Sequence, residues 1–558
     1  MPSERVIWGV PGCGKTTAGI TLCREWAAHG TASDQIAYLA FTKAAAKAAA
    51  TKIFETEDEA RMSEQFPYFR TIHSLCYRAL KKERSDLRLI NTSDMKQFSK
   101  LYSMEGVYSV HPWEDLADVY AGMKDSGRTE WDQALSAYSF SRIKARTIAE
   151  LDRSKQEPAP EGAMMLGLES MSLDVYRTFV EKYEKFKLAD GLIDFGDMLE
   201  YGARSMRPFD DVRYVVLDEA QDLAEGHHMI IDRLFSSPSV REIWWIGDDD
   251  QAVFKFSGAS ADLFLKRARC AQHQVQLRQT HRFGQNIVDF SRRIIERVKN
   301  RHPKEILGVE GRPGEVLVAG SFEPVPGNIM IMHRHVAGCQ NIAQAYIDAG
   351  LPFRNERGRD PLDSTKRIRA WNAVRDLSSG KEVTMSAAAL VIEDLLPSVA
   401  LGDNLQRIRL VVHGRKSALE EAGRGSVSLR DLVVGKILTE EGAAVIQDRD
   451  YHTMKHAQDL DYYERVVRNG YEVEYDAEGF KQIPMITTIH GAKGREKERT
   501  IVFCEMGNRC WDDVDTEHRL AYVASTRTQT DVTICMESKV HWAESEYDYP
   551  ILEEERKI

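Results

Sequence analysis

The sequence predicts an α/β protein whose parallel sheets carry mainly helical insertions, and three observations point there. An apolar strand at residues 5–8 (RVIW) runs into Gly9-Val10-Pro11-Gly12-Cys13-Gly14-Lys15-Thr16-Thr17 and then into a helical stretch at 17–29 closed by Gly30. Buried-strand runs alternate with helical spacings over roughly the first 80 residues, as a parallel sheet requires. Two later apolar strands, 212–217 (VRYVVL) and 242–246 (EIWWI), each end at once in an acidic cluster.

Taken in chain order, the first element is the most informative. The segment from Gly9 to Thr16 fits G-x-x-x-x-G-K-[ST], a phosphate-cradling loop between a strand and a helix. Glycines let the backbone fold tightly enough to aim N–H groups at phosphate oxygens, and the helix N-terminus adds favourable potential for an anion. Gly9, Gly12, Gly14 and Thr17 therefore form a nucleotide-binding set with Lys15, which would reach the β- and γ-phosphates, and Thr16, whose hydroxyl would hold Mg²⁺.

Next come a buried strand at 36–41 (IAYLAF) and an Ala-rich helix at 43–54. Residues 89–175 change to helical spacing with more charge and Trp/Tyr, and are expected to form a mostly helical insertion. A second α/β unit begins near residue 273 and includes a strand at 328–332 (NIMIM). At 381–470 helical segments alternate with Gly- and charge-rich breaks. Strands follow at 485–489 and 499–503, with a last one at 531–536.

At 558 residues the chain is too long for one core, and three or four domains are expected. Ordinary apolar and charged fractions, no run of 18 apolar residues and no apolar leader predict a cytoplasmic protein without a membrane partner. The eight cysteines contain no C-x-x-C pair and read as reduced core thiols, with Cys504 and Cys510 the nearest neighbours. A net charge of −11 does not mark a nucleic-acid binder. Two basic stretches, 78–88 (RALKKERSDLR) and 292–304 (RRIIERVKNRHPK), are either solvated helix faces or nucleic-acid contacts.

The strand at 212–217 ends in Asp218-Glu219-Ala220-Gln221-Asp222. Carboxylates at the C-terminal end of a strand beside a phosphate loop face the ligand crevice of such a sheet. Asp218 is placed to hold Mg²⁺ and Glu219 to orient and deprotonate an attacking water.

With these segments in order, the chain resembles superfamily 1 helicases of the UvrD/Rep/PcrA type. VLDEAQDL at 216–223 resembles the family's second ATPase motif and IGDDDQAVFKFSGA at 246–259 its third. LRQTHRF at 277–283 resembles the segment that opens the second motor domain. TTIHGAKGREKE at 487–498 and HRLAYVASTRT at 518–528 resemble the last two motifs, with shorter matches at 40–46, 71–75 and 193–199. The resemblance implies two RecA-like P-loop NTPase motor domains. The first would comprise 1–88 and 176–272 with insertion 89–175, and the second 273–380 and 471–558 with a reduced insertion at 381–470.

It also implies ATP and Mg²⁺ as cofactors and single-stranded DNA or its junction with duplex as the track, with RNA left open because stacking pockets need not inspect the 2′-OH. Gln251 would touch the γ-phosphate or the attacking water. Arg282 and Arg527 would close onto the γ-phosphate, Glu496 would meet the ribose, and His281 stands where a base-stacking tyrosine is usual. Phe41, Phe195, Phe254 and Phe256 fall at base-stacking positions, with Thr42, His73 and His490 near the DNA backbone; Phe195 reads equally as a core residue.

Three departures stand out. The family's glutamine motif lies about twenty residues before the phosphate loop, where this chain has no room, so relaxed base selectivity is expected. Ser257 and Val336 replace polar or basic DNA contacts, and the insertion at 381–470 is short. The implied function is a 3′-to-5′ ATP-dependent DNA helicase. A translocase that strips proteins from DNA without processive unwinding is the alternative, and a nucleotide-gated binding module is a third reading that the full hydrolytic set argues against. No nuclease cluster is expected after Arg527.

Overall fold

The computed structural model describes residues 2–40, 46, 49–51, 66–105, 129–159, 172–356, 360–396, 426–476, 478–503 and 513–536. The chain divides into two compact units, Met1–Ala319 with Thr488–Ile558, and Gly320–Thr487.

The first unit is built on a six-stranded sheet. Its strands are β1 (Ser3–Gly9), β2 (Ile36–Leu39), β3 (Phe69–Arg70), β6 (Tyr214–Leu217), β7 (Glu242–Gly247) and β8 (His273–Leu277), in the spatial order β3-β2-β6-β7-β1-β8. All five pairings are parallel. β4 (Arg88–Leu89) and β5 (Leu192–Ile193) form a separate two-stranded parallel ribbon.

Alternate residues of the central strands enter two different cores. Val6 and Trp8, Ala37 and Leu39, Val215 and Leu217, and Ile243 and Trp245 point to one side. Ile7, Tyr38, Val216, Trp244 and Ile246 point to the other, where they meet Ile20 and Cys23 of the Lys15–Ala28 helix. A sheet covered on both faces has no polar side, so its strands read as continuous apolar runs. That explains why β2, β6 and β7 were recognisable in the sequence. β3 and β8 were not, because a two-residue strand and an exposed edge strand carry no such run.

Register places the functional loops. Trp8 pairs with Gly247, and Leu217 with both Leu39 and Trp245. The loops after β1, β6 and β7 therefore leave the same edge of the sheet, side by side, at its C-terminal rim.

The helical insertion has its own core. Met95 and Phe98 of the Thr92–Tyr102 helix, Tyr138 of Glu130–Lys144, and Tyr176, Phe179 and Tyr183 of Leu173–Ala189 pack together. The last of these helices runs across residue 175, where the sequence had suggested the insertion would end.

Also in the first unit, Lys497–Phe503 pairs in parallel with Thr528–Cys535, which pairs in parallel with Glu315–Ala319. In the second unit Arg354–Asn355 lies parallel to Met485–Thr488, which neighbours Ile329–His333. Its remaining described elements are mainly helical, including Thr365–Ser378 and Ala457–Arg468, with one short antiparallel pair, Val383–Thr384 against Ser426–Val427. Of the Ala-rich helix expected at 43–54, only 46 and 49–51 are described, and they are helical. Cys504 and Cys510 lie outside the described residues. Among the described residues no helix is long and apolar enough to cross a membrane.

Candidate functional site

The site lies within the first unit, at the rim formed by the loops after β1, β6 and β7. Gly12 and Gly14 adopt positive φ values of 73° and 83°, and Gly14 caps the Lys15–Ala28 helix with no side-chain cap of its own. Gly9 is needed for a different reason: a Cβ there would sit 2.1 Å from Cγ of Lys15, which folds back over it. Lys15 is buried, and its Nζ donates to the Gly9 carbonyl at 3.3 Å. Burial opposes the charge of this ammonium, but Glu219 and Asp248 outweigh it and hold the pKa above its ordinary value. Thr17 is exposed on the first turn.

Asp218 and Glu219 follow β6. The Thr16 hydroxyl donates to Asp218 Oδ2 at 2.9 Å, the Tyr38 hydroxyl donates to the same oxygen at 2.6 Å, and the Glu219 amide donates to Oδ1 at 3.0 Å. Burial, and then the charge of Glu219, push the Asp218 carboxyl up to about 6. Glu219 has φ 53°, a strained conformation for a side-chain-bearing residue of the kind that collects at functional sites. Gln221 Nε2 donates to its carboxylate at 2.7 Å. Burial again opposes ionisation, yet Lys15, Lys493, the Gln221 bond and Arg527 together hold Glu219 below the usual carboxylate range. The paired acids are thus pushed apart in pKa by their surroundings, and Glu219 is the one kept as a base.

The loop after β7 supplies Gln251. Its Nε2 donates to Asp248 Oδ2 at 2.7 Å, and its Oε1 accepts from Arg527 Nη2 at 3.1 Å. Arg527 is fully buried, and burial followed by Arg282 lowers its guanidinium to about 9, so it remains cationic at neutral pH. Arg282 donates from Nε to Glu496 at 2.5 Å and from Nη1 to the Thr526 carbonyl at 2.9 Å. Gln529 Nε2 donates to the other Glu496 oxygen at 3.2 Å. His281 is exposed, but its amide donates to the Gly12 carbonyl at 2.9 Å. The segment from Thr280 to Arg282 therefore lies directly against the phosphate loop, and a Cβ on Gly12 would meet Arg282 Cβ at 2.7 Å.

The aromatic residues form two separate pairs. His73 and Phe195 meet edge to face at 5.5 Å, with Phe195 half-buried against the sheet core. Phe254 and His490 meet at 6.3 Å, and Lys493 Nζ stands 4.8 Å over the Phe254 ring. Ser257 donates its hydroxyl to the Phe254 carbonyl at 2.8 Å, and Val336 is half-buried in the second unit. Phe41, Thr42 and the Phe256 side chain lie outside the described residues.

Tyr38, Thr280, Lys493 and Lys304 are among the site residues that the sequence does not single out. Tyr38 hides inside an apolar strand. Thr280 is fully buried and donates its hydroxyl to the Pro11 carbonyl at 2.7 Å. Lys493 bonds both Asp222 oxygens, at 2.6 and 2.5 Å, and the Gln251 carbonyl at 2.6 Å; a lysine in the glycine-flanked run GAKG was the signal for it. Lys304 belongs to the basic stretch 292–304, which proves to be neither a plain solvated face nor a free cationic patch at its end. Arg301 donates to Asp250 at 2.8 and 2.7 Å, and Lys304 is buried among carboxylates.

Residues 2–272 match the family described as the UvrD/REP helicase N-terminal domain. A stretch of 211 residues is 25% identical to a probable DNA helicase II homolog of Rickettsia conorii, covering 32% of each chain. Another of 180 residues is 27% identical to an ATP-dependent helicase/nuclease of Natranaerobius thermophilus, covering 31% of this chain and 13% of the relative. The RecBCD enzyme subunit RecB of Mycobacterium tuberculosis is 24% identical over 182 residues, with coverages of 32% and 16%. The matches thus span about a third or less of these relatives' lengths.

Proposed function

We infer that the chain is a UvrD-like member of helicase superfamily 1 and, on that premise, that it is an ATP-driven motor that moves 3′ to 5′ on single-stranded DNA and separates duplexes at junctions. The first motor domain would comprise 1–88 and the residues after the Leu173–Ala189 helix up to 272, and the second 273–380 with 471–558, working in the cytoplasm. One observation carries the reading. Gln251 contacts Arg527 and Asp248 through its side chain, while its carbonyl accepts from Lys493, the cation lying over Phe254. One residue thus links the groups suited to hydrolysis with an aromatic ring suited to stacking a base.

The chemistry follows from the surroundings of each group. ATP is the substrate, its phosphates cradled by the loop from Gly9 to Thr16 with Lys15 as the fixed cation. Thr16 and Asp218 offer two hard oxygen donors 2.9 Å apart, a set that fits Mg²⁺. They would hold the ion, which neutralises phosphate charge when bound. Glu219, ionised and steadied by Gln221, takes the proton of the attacking water. Arg282 and Arg527 stabilise charge on the transferred group, an effect worth about 10³–10⁵ in rate for such arginines. Glu496, held by Arg282, stands ready for the ribose. On the DNA side Phe195 with His73, and Phe254 with His490, contact the strand.

The test is ATP turnover with and without single-stranded DNA, followed by streptavidin displacement from oligonucleotides biotinylated at either end, with Lys15→Ala as the inactive control. DNA-stimulated turnover and faster displacement from the 5′ end are expected. Displacement only from the 3′ end would refute the polarity, and none from either end would refute the motor. Displacement without unwinding of a tailed duplex would leave a translocase that strips proteins.

A further inference from the structure

The loop after β7 holds three consecutive acids, Asp248, Asp249 and Asp250, all buried with fully enclosed side chains. Three like charges within one turn repel strongly, and buried carboxylates persist only with partners. The partner common to all three is Lys304. Its Nζ stands 3.2 Å from Asp248 Oδ1, 2.5 Å from Asp249 Oδ1 and 2.9 Å from Asp250 Oδ2, itself wholly enclosed. Burial opposes the ammonium's charge, but the three carboxylates raise its pKa above the ordinary lysine value. An ammonium therefore occupies the position a metal ion would need in this acidic group.

The segment carrying Lys304 is itself fixed. His302 stacks on Trp8 of β1 at 4.0 Å and 6° between planes, and its amide donates to Asp249 Oδ2 at 2.8 Å. Lys304 also donates to the His302 carbonyl at 3.1 Å. The ammonium is thereby anchored to the strand that leads into the phosphate loop.

Asp248 divides its two oxygens. Oδ1 faces Lys304 and accepts the Asp250 amide at 3.2 Å, while Oδ2 accepts from Gln251 Nε2 at 2.7 Å. An amide held by its nitrogen must present its oxygen on the other side, where Arg527 donates to it. We propose that Lys304 is a positioning residue for ATP hydrolysis: by pinning Asp248 it fixes the amide orientation of Gln251, and so the meeting of Gln251 with Arg527. Lys304 touches no reacting atom. Its effect passes through two hydrogen-bonded side chains and bears on turnover rather than on nucleotide capture, which belongs to the loop at Lys15.

The inference rests on the ATPase reading above, and the full-length chain tests both. Steady-state ATP turnover with single-stranded DNA is measured for wild type, Lys304→Met, Gln251→Ala and the double variant. Lys304→Met is expected to lower kcat at least tenfold with KM for ATP within threefold. In the Gln251→Ala background it should lower kcat less than twofold further, because the residue it positions is gone. Lys304→Met leaves three buried carboxylates without their common cation, so Asp248→Asn provides a second arm that removes one charge at nearly constant shape. It should show the same kcat loss and the same lack of additivity with Gln251→Ala. If Lys304→Met fails to fold, Lys304→Gln, which keeps a polar group among the three acids but no charge, takes its place in both backgrounds with the same expected and overturning results. Losses that multiply fully with Gln251→Ala, or a rise in KM alone, would overturn the inference. An active wild type with unaltered kcat in the variants would overturn it while leaving the ATPase intact, whereas an inactive wild type would overturn both.

Discussion

Asp218 receives three donors, from Thr16, Tyr38 and its neighbour's amide, and the Tyr38 hydroxyl makes the shortest of these bonds at 2.6 Å. Burial raises the tyrosine's own pKa well above its ordinary value, so it stays a donor across the working range. Tyr38→Phe removes that donor without changing the apolar ring that fills the sheet core. A buried hydrogen bond of this kind contributes about 1 kcal/mol, more when the acceptor is charged. The half-saturating Mg²⁺ concentration for binding a fluorescent ATP analogue should therefore change several-fold while the melting temperature moves little; an unchanged Mg²⁺ dependence would remove Tyr38 from the site. Glu219→Gln tests the base. Loss of a positioned general base costs about 10²–10⁴ in rate, so kcat should fall by that order while ATP binding stays within a few-fold. A Glu219→Gln protein that retains turnover would transfer the role to another group.

At the scale of elements, the phosphate loop separates two demands on glycine. Gly12 and Gly14 share positive φ, which costs a side-chain-bearing residue about 1–2 kcal/mol. Their surroundings differ. A Cβ on Gly14 meets nothing closer than 3.7 Å, whereas one on Gly12 collides with Arg282 Cβ and Thr280 Oγ1 at 2.7 and 2.8 Å. Gly12→Ala should depress ATP turnover far more than Gly14→Ala, because it also pushes Arg282 off the loop; equal losses in a side-by-side assay would show that backbone conformation alone matters. The insertion depends on charge instead. Arg142, 1% exposed, donates to Asp194, Asp197 and Glu200, and Lys187 closes the network on Asp194 and Asp197. These bonds hold the start of the Phe195–Arg204 helix, and with it Phe195. Arg142→Met would strand buried acids at a cost of about 3–5 kcal/mol. A large drop in urea midpoint together with weaker single-stranded DNA binding is expected, and an unshifted midpoint would argue against the network.

For the molecule as a whole, the buried histidines set an acid limit. Burial lowers His227 to about 3, and burial with Arg267 and His227 lowers His228 to about 3 as well, from an ordinary 6.5. Between those values the unfolded chain binds more protons than the folded one, so stability rises with pH there, is complete above about 6.5 and falls as acid is added. Asp218 and Asp249, both raised to about 6, act in the opposite sense. The histidine contribution is therefore read as a difference: urea midpoints at pH 7.5 and pH 5 should separate more in wild type than in the His227→Gln/His228→Gln variant, and equal separations would remove these residues as the cause.

The α/β class, a strand–loop–helix segment fitting the phosphate-cradling pattern and the acids after β6 were legible along the chain, because each lies in a local pattern set by its sequence neighbours. Gln251, Arg282 and Arg527 were expected only through the resemblance of their segments to family motifs; in the structure Arg527 donates to Gln251 and Arg282 donates to the Thr526 carbonyl beside it. Only the tertiary structure decided which groups meet across hundreds of residues. Nothing local marks Tyr38 as a donor to Asp218, since a tyrosine in an apolar strand looks like core. Lys304, too, lies in a stretch whose charge pattern suits an exposed helix, and its burial among Asp248, Asp249 and Asp250 depends on how the segment after β8 lies against β1 and β7. Periodicity reports which face of an element is buried, whereas a hydrogen bond between distant side chains depends on register and packing that no single segment contains.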